Sequence, residues 1–383
     1  MSLFRKIKNV ALFTGLSFPV LLSAYDREKR ISELEKQMLE IGSYHNGRVF
    51  GAKLAPASPV SSDWEISFDA LLWQAGVGET EYACSTTNVS ATEIRYPFRG
   101  TISEISFGWD WGFRFSIGKE NVYDEFDLIL AYTRYFTSAK DGYRKDLPSG
   151  FFGLTGFFDP ALLAKSRYKL HYQNIDLEMG KSYFITQKIL VRSHIGLKTS
   201  WITQKQDSRY EFAVRSGDLL SFSSRLQDQC KFWGIGPRVG LHSRWYLCQE
   251  ISLVNKIGGS LLYGYYKVQD FYESNEIQAV SGETRQTISR TDLEGSCHHF
   301  SPFAEILLGL SWNRAFYQDK IVVMATLSYE TSYFWRQKEV ISGEGAMRTG
   351  ASPTLVNSSR VQFAKQAEDL GFRGVSFSLE VDF

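Results

Sequence analysis

The stretch ISFGWDWGFRFSIG sets the tightest limit on how this chain can fold. Ile105, Phe107, Trp109, Trp111, Phe113, Phe115 and Ile117 alternate with Ser106, Gly108, Asp110, Gly112, Arg114, Ser116 and Gly118. Successive strand side chains point to opposite faces, so an extended chain here has one oily face and one wet face. A typical globular strand is about 5 or 6 residues long, whereas one crossing a bilayer obliquely needs about 9 to 11. The run fits the second case. The closing stretch GVSFSLEVDF repeats the pattern, with Val375, Phe377, Leu379, Val381 and Phe383 on one face and Ser376, Ser378, Glu380 and Asp382 on the other. Taken alone, that ending also suits a soluble sandwich strand whose oily side meets a core.

The rest of the chain decides between them. In WEISFDALLW, Trp64, Ile66, Phe68 and Leu72 oppose Glu65, Ser67 and Asp69; in KILVRSHIGLKTSW, Ile189, Val191, Ile195, Leu197 and Trp201 oppose Arg192, His194, Lys198 and Ser200. Strands are expected near 64 to 76, 102 to 118, 125 to 137, 167 to 180, 187 to 203, 230 to 243, 249 to 266, 299 to 312, 319 to 336 and 370 to 383. Polar stretches near 77 to 101, 138 to 166, 204 to 229, 267 to 298 and 337 to 369 alternate with tight turns such as KENVYDE, GKSYFIT and NRAFYQD. Long loops on one side, short turns on the other and an even strand count belong to outer-membrane barrels. The expected fold is therefore all-β: a transmembrane antiparallel up-and-down β-barrel of about 10 strands, or 12 to 16 should the long loops hide more. The final strand would run inward, end in the periplasm and pair with the first, leaving no open edge.

Composition is consistent with this. The 43 basic and 42 acidic side chains cancel, which removes the electrostatic footprint of a nucleic-acid partner. Aromatic residues make up 15% of the chain, suiting strands and the Trp and Tyr rings of membrane interfaces. The negative mean hydropathy argues against membrane helices and says little against a barrel. Near the N-terminus, Arg5, Lys6 and Lys8 precede an apolar run from Val10 to Leu22 and then Ser23 and Ala24, which reads as a signal peptide over 1–24. At about 13 residues the run is too short for a membrane anchor, which needs roughly 20. Ile31, Leu34, Met38 and Ile41 then mark a short amphipathic helix, and KLAPASPVSSD a linker, so 25–63 is expected to form a periplasmic helix and tether ahead of a barrel over 64–383. The helix packs on the barrel, hangs loosely tethered in the periplasm, or zips protomers into a homo-oligomer.

Export makes Cys84, Cys230, Cys248 and Cys297 disulfide candidates, with three connectivities open. Cys84, Cys230 and Cys297 fall on the loop side, where an odd thiol suggests bonds between molecules. Cys297, His298 and His299 are adjacent but lack the spaced pairs of a zinc site, so no metal is expected there; nothing in the sequence calls for a cofactor.

WEISFDALLW, WGFRFSIG followed by EFDLILAYTRYF, HIGLKTSWI, GIGPRVGL with LLYGYY, LLGLSWN and the closing GFRGVSFSLEVDF, taken in order, resemble the pore-forming outer membrane proteins related to the Legionella major outer membrane protein. The resemblance runs over nearly all of Trp64 to Phe383. It implies a porin-like barrel, surrounded by outer-membrane lipid, through which small hydrophilic solutes or ions diffuse. The terminal aromatic likewise resembles the signal read by the bacterial barrel-assembly machinery.

In such a barrel the wet faces would line a pore with Asp110, Arg114, Asp127, His171, Asp176, Arg192, His194, Lys198, Arg238, Glu305 and Glu330, and Glu178 would join them. Opposed charges there either set ion selectivity or pair across the lumen and fill it. A barrel enzyme is the rival class: His171 and His194 would sit on adjacent strands near Lys198, without a clear nucleophile, and His298 and His299 would face Asp270 across a hairpin. A structural or adhesive surface protein, its long loops meeting a host partner, is the third.

Overall fold

A computed structural model describes residues 64–383 apart from 79, 87–88, 91–92, 95–99, 124–125, 145–149, 154–162, 187, 213–218, 249, 281–282, 317–320 and 347–359. The expected signal peptide (1–24) and the expected helix and linker (25–63) lie outside the described residues. In chain order the strands are β1 (Trp64–Val77), β2 (Glu81–Thr86), β3 (Val89–Ser90), β4 (Glu93–Ile94), β5 (Gly100–Glu104), β6 (Trp109–Tyr123), β7 (Phe126–Arg144), β8 (Gly150–Gly153), β9 (Leu163–Thr186), β10 (Ile189–Phe212), β11 (Leu219–Tyr246), β12 (Ile251–Val280), β13 (Glu283–Phe316), β14 (Ile321–Ala346) and β15 (Arg360–Asp382). Ten of them close a barrel in the order β1-β15-β14-β13-β12-β11-β10-β9-β7-β6, every pair antiparallel. Closure runs from Glu65 opposite Asp382 to Val77 opposite Leu370. The edges of the wall are thereby paired, as hydrocarbon requires.

The wall is turned inside out relative to a soluble protein. Phe68, Trp111, Phe115, Ile195, Val239, Ile306, Leu308, Leu327 and Phe377 are exposed on its outer face, while Ser67, Asp69, Ser200, Arg238 and Ser376 are buried within. Trp64, Trp245 and Trp312 lie at the end carrying both chain termini of the barrel, where the β6–β7, β9–β10, β11–β12 and β13–β14 links are two to four residues long.

Two expectations need correction. The strand expected over 102 to 118 is broken at residues 105–108: β5 belongs to a separate three-stranded sheet with β2 and β8, and Ile105 and Phe107 turn into the interior. Phe107 packs edge-on against Tyr168 at 5.4 Å, and its carbonyl accepts a bond from Gln74 Nε2 at 2.7 Å. Stretches expected as long loops at 204 to 229 and 267 to 298 are instead strand at all their described residues. β13, at 34 residues, is about three times the length a crossing needs. Beyond the membrane both faces meet water, so ladder bonds continue without the oily alternation that marks the lower half.

The ladder between β13 and β14 stops early, at Phe303 opposite Phe334. β12 and β13 stay paired as far as Val280 opposite Glu283, and β14 and β15 as far as Ala346 opposite Arg360. Above Phe303 the wall therefore divides into two lobes. β14 turns there through a bulge in which Arg336 takes a left-handed φ of 53°, held by its N–H donating to Asp369 and its carbonyl accepting from Tyr266.

Gly236 marks a second irregular point. It falls in the gap in β11–β12 pairing between Ile235 opposite Tyr263 and Arg238 opposite Ser260, across which the register is kept, and a Cβ there would lie 1.9 Å from Leu261 O. Gly76, with nothing within 4 Å of its would-be Cβ, is the control. Gly236→Val is expected to abolish the compact band that folded barrels give on unheated gels, and Gly76→Val to keep it.

Candidate functional site

The interior carries a layer of charge below and a layer of rings above. β9 supplies Asn174, Asp176 and Glu178 at alternate positions, all pointing inward because β9 runs without a bulge through them. Facing strands supply the cations. Arg238, only 1% exposed, bonds Glu178 Oε1 at 2.9 Å and also Glu305. Lys198 sits 3.2 Å from Asp176, Lys256 3.6 Å from Glu178, and Arg192 clasps Asp127 while reaching Glu178 at 3.3 Å. Arg114 bridges Asp69 and Glu330, each at 3.1 Å. These groups surround a cavity of about 40 Å³ lined by four cationic side chains (Arg114, Lys198, Arg238, Lys256) and four anionic ones (Asp176, Glu178, Glu305, Glu330).

Directly above, Trp73, Tyr135, Tyr172, Phe303, Phe334 and Phe372 form an aromatic septum. β9 and β14 are diametrically opposite in the strand order, and Tyr172 lies 5.8 Å from Phe334 and 4.9 Å from Phe372. The rings thus meet across the whole lumen. Charge and ring layers are tied together: Trp73 Nε1 donates to Glu330 at 2.9 Å, and Lys198 Nζ stands 4.2 Å from the Phe303 centroid. A cation over a ring face is attracted by its quadrupole, which ties Lys198 to the septum.

Of the residues expected to line a pore, Arg114, Asp127, Asp176, Arg192, His194, Lys198, Arg238, Glu305 and Glu330 are brought together in the lower lumen, and Asp110 faces inward beside Thr137. His171 is the exception. Inward positions on β9 are even-numbered, so His171 projects outward and packs on Phe136 at 4.4 Å. It also pairs with Thr203, nine residues along β10 from His194, so the expected His171–His194–Lys198 grouping does not form. His298 stacks outward on Tyr263 and Tyr265, and His299 meets Glu339 rather than Asp270. Cys230, Cys248 and Cys297 are free thiols, and the side chain of Cys84 lies outside the described residues. Cys230 is buried inside the barrel, which rules it out as an exposed cross-linker between neighbours. Sequence reasoning missed Lys256 and His242. Lys256 follows Asn255 where strict alternation lapses, and only its register opposite Leu307 and beside Glu305 reveals its role.

Breaking a buried ion pair by removing one partner leaves an uncompensated charge, at a cost of about 3–5 kcal/mol. Arg238→Met is expected to lower the unfolding free energy in lipid vesicles by about that amount. Arg209→Met, whose side chain is 62% exposed, should leave the urea midpoint nearly unchanged.

A family model described as the Legionella pneumophila major outer membrane protein precursor matches residues 57–383. No curated protein matches the chain. Among solved structures, a Pseudomonas aeruginosa FadL homologue is 9% identical, covering 87% of this chain and 95% of its own, with a TM-score of 0.23. The P. putida toluene transporter TodX is 10% identical, covering 86% and 94%, with a TM-score of 0.27. The Ralstonia pickettii toluene transporter TbuX is 10% identical, covering 85% and 92%, also at 0.27. Scores this low leave the identification to the family match and the closed barrel. The chain belongs to the Legionella major outer membrane protein family and is a β-barrel of the outer membrane.

Proposed function

We propose that the chain is a pore-forming protein that lets small hydrophilic solutes or ions cross the outer membrane, and that the conformation described is its closed state. The observation that carries this reading is the cavity ringed by four cations and four anions at membrane depth. Ionisable groups are costly there and mark ion or solute pathways, where water and opposite charges compensate them. Balanced charge favours polar solutes and small ions without strong preference for either sign. A ten-stranded barrel leaves a narrow interior, and the septum of Trp73, Tyr172, Phe334 and Phe372 crosses it, so opening requires those rings to part. Exchange with the barrel-assembly machinery through β15 and association into homo-oligomers belong to the same proposal.

One observation favours a second reading, a structural surface protein: β9 through β15 rise far past the membrane, presenting broad polar sheet above a filled lumen.

Planar bilayers separate the two. The pore reading expects brief, small current steps from the wild type and a several-fold larger or longer-lived conductance from a Trp73→Ala/Phe372→Ala double variant. Glu305→Gln in that background should move the reversal potential toward anions. Bilayers that stay sealed with both proteins, each shown to be folded, would leave the structural reading standing.

A further inference from the structure

We infer that the upper lumen holds a zinc site built from Cys297, His299 and Glu339, and that the ion staples β13 to β14 where their ladder has ended. This stands independently of whether the lumen conducts.

Cys297 and His299 are two residues apart on β13, so both project inward while His298 between them turns out. Glu339 reaches the same point from β14, just past the bulge at Arg336. The donor atoms of Cys297, His299 and Glu339 all lie within 4.8 Å of one another. Cys230, buried on β11, lines the adjoining cavity together with Glu339.

The imidazole is set as a metal-binding histidine is set. Its ring stacks on Tyr266 at 4.1 Å, and Nδ1 lies 3.2 Å from the Phe300 carbonyl. A carbonyl only accepts, so Nδ1 carries the proton, and the outer hydrogen bond fixes which nitrogen is left to bind. Nε2 then points at Glu339 Oε1 from 2.5 Å. In the metal-free site a proton bridges the two at that range, and zinc, with bonds of about 2.0–2.2 Å to each, would displace it as the pair moves apart. The surroundings favour added positive charge, because Asp228 and Asp270 line the adjoining cavity with Glu339, against Lys338 as its cation.

Sulfur, nitrogen and a single carboxylate form a borderline-soft set that suits zinc and excludes calcium and magnesium, which take oxygen donors. Binding would release the thiol proton of Cys297. The position gives the ion a purpose. β13 and β14 part at Phe303 opposite Phe334, and the donors lie just above on both strands. Cys297, His298 and His299 look incidental in sequence because the carboxylate arrives only 40 positions later.

The test uses the full barrel, reduced, stripped with chelator and titrated with Zn²⁺ alone. One equivalent is expected to bind and to raise the unfolding temperature, and in a second, Co²⁺-loaded sample the same equivalent of Zn²⁺ should abolish the sulfur-to-metal charge-transfer band. Cys297→Ser and His299→Ala should each weaken zinc about tenfold or more and lose the temperature shift, while Cys248→Ser, remote at a short link, changes neither. Should Cys297→Ser fail to fold, the isosteric Glu339→Gln carries the same comparison. No saturable uptake, uptake unaltered by these substitutions, or native protein isolated with Cys230 and Cys297 joined as a disulfide would each overturn the site.

Discussion

Hydrocarbon offers no partner for a backbone N–H or C=O, and each such group left unpaired costs several kcal/mol. Closure of β1 on β15 is what satisfies that demand here, and the rest of the molecule follows from it. A sheet closed by ten strands must put alternate side chains inside a narrow space, so whatever polar residues the strands carry are pressed together. Charge then has to meet opposite charge. Arg238 between Glu178 and Glu305, and Arg114 between Asp69 and Glu330, are the result.

The same geometry explains the division of the lumen into two layers. Low on the wall, β9 presents Glu178, Asp176 and Asn174 in turn; two residues higher it presents Tyr172, and Trp73, Phe334 and Phe372 converge on that level from β1, β14 and β15. Charged side chains fill space poorly and hold water, whereas rings close it. The barrel accordingly combines a charged layer and an aromatic partition, coupled by Trp73 to Glu330 and by Lys198 over Phe303.

Membrane-embedded parts of the chain were legible in sequence because two different solvents enforce a period of two. All ten wall strands and the inward position of Arg192, Lys198 and Arg238 come from that period. It fails where the solvents become the same. Above the bilayer β12 and β13 continue through polar sequence that reads as loop, and the inward turn of Ile105 and Phe107 depends on contacts with Tyr168 and Gln74 that no local pattern encodes. His171 was misplaced by a single step of parity, since only even positions of β9 face inward. The septum escaped notice because Trp73 and Tyr172 look, one strand at a time, like ordinary interface aromatics. Its existence is a property of opposite walls, visible only once the strand order brings β9 to face β14.

An inside-out wall can be tested along one strand. In a variant with its native cysteines replaced by serine, single cysteines carrying a fluorophore at positions 375 to 381 of β15 would be reconstituted in vesicles containing a brominated lipid. Strong quenching at Val375, Phe377, Leu379 and Val381, with weak quenching at Ser376, Ser378 and Glu380, is the expected result. Uniform quenching, or the opposite phase, would contradict a barrel whose oily face meets lipid and whose charges lie within.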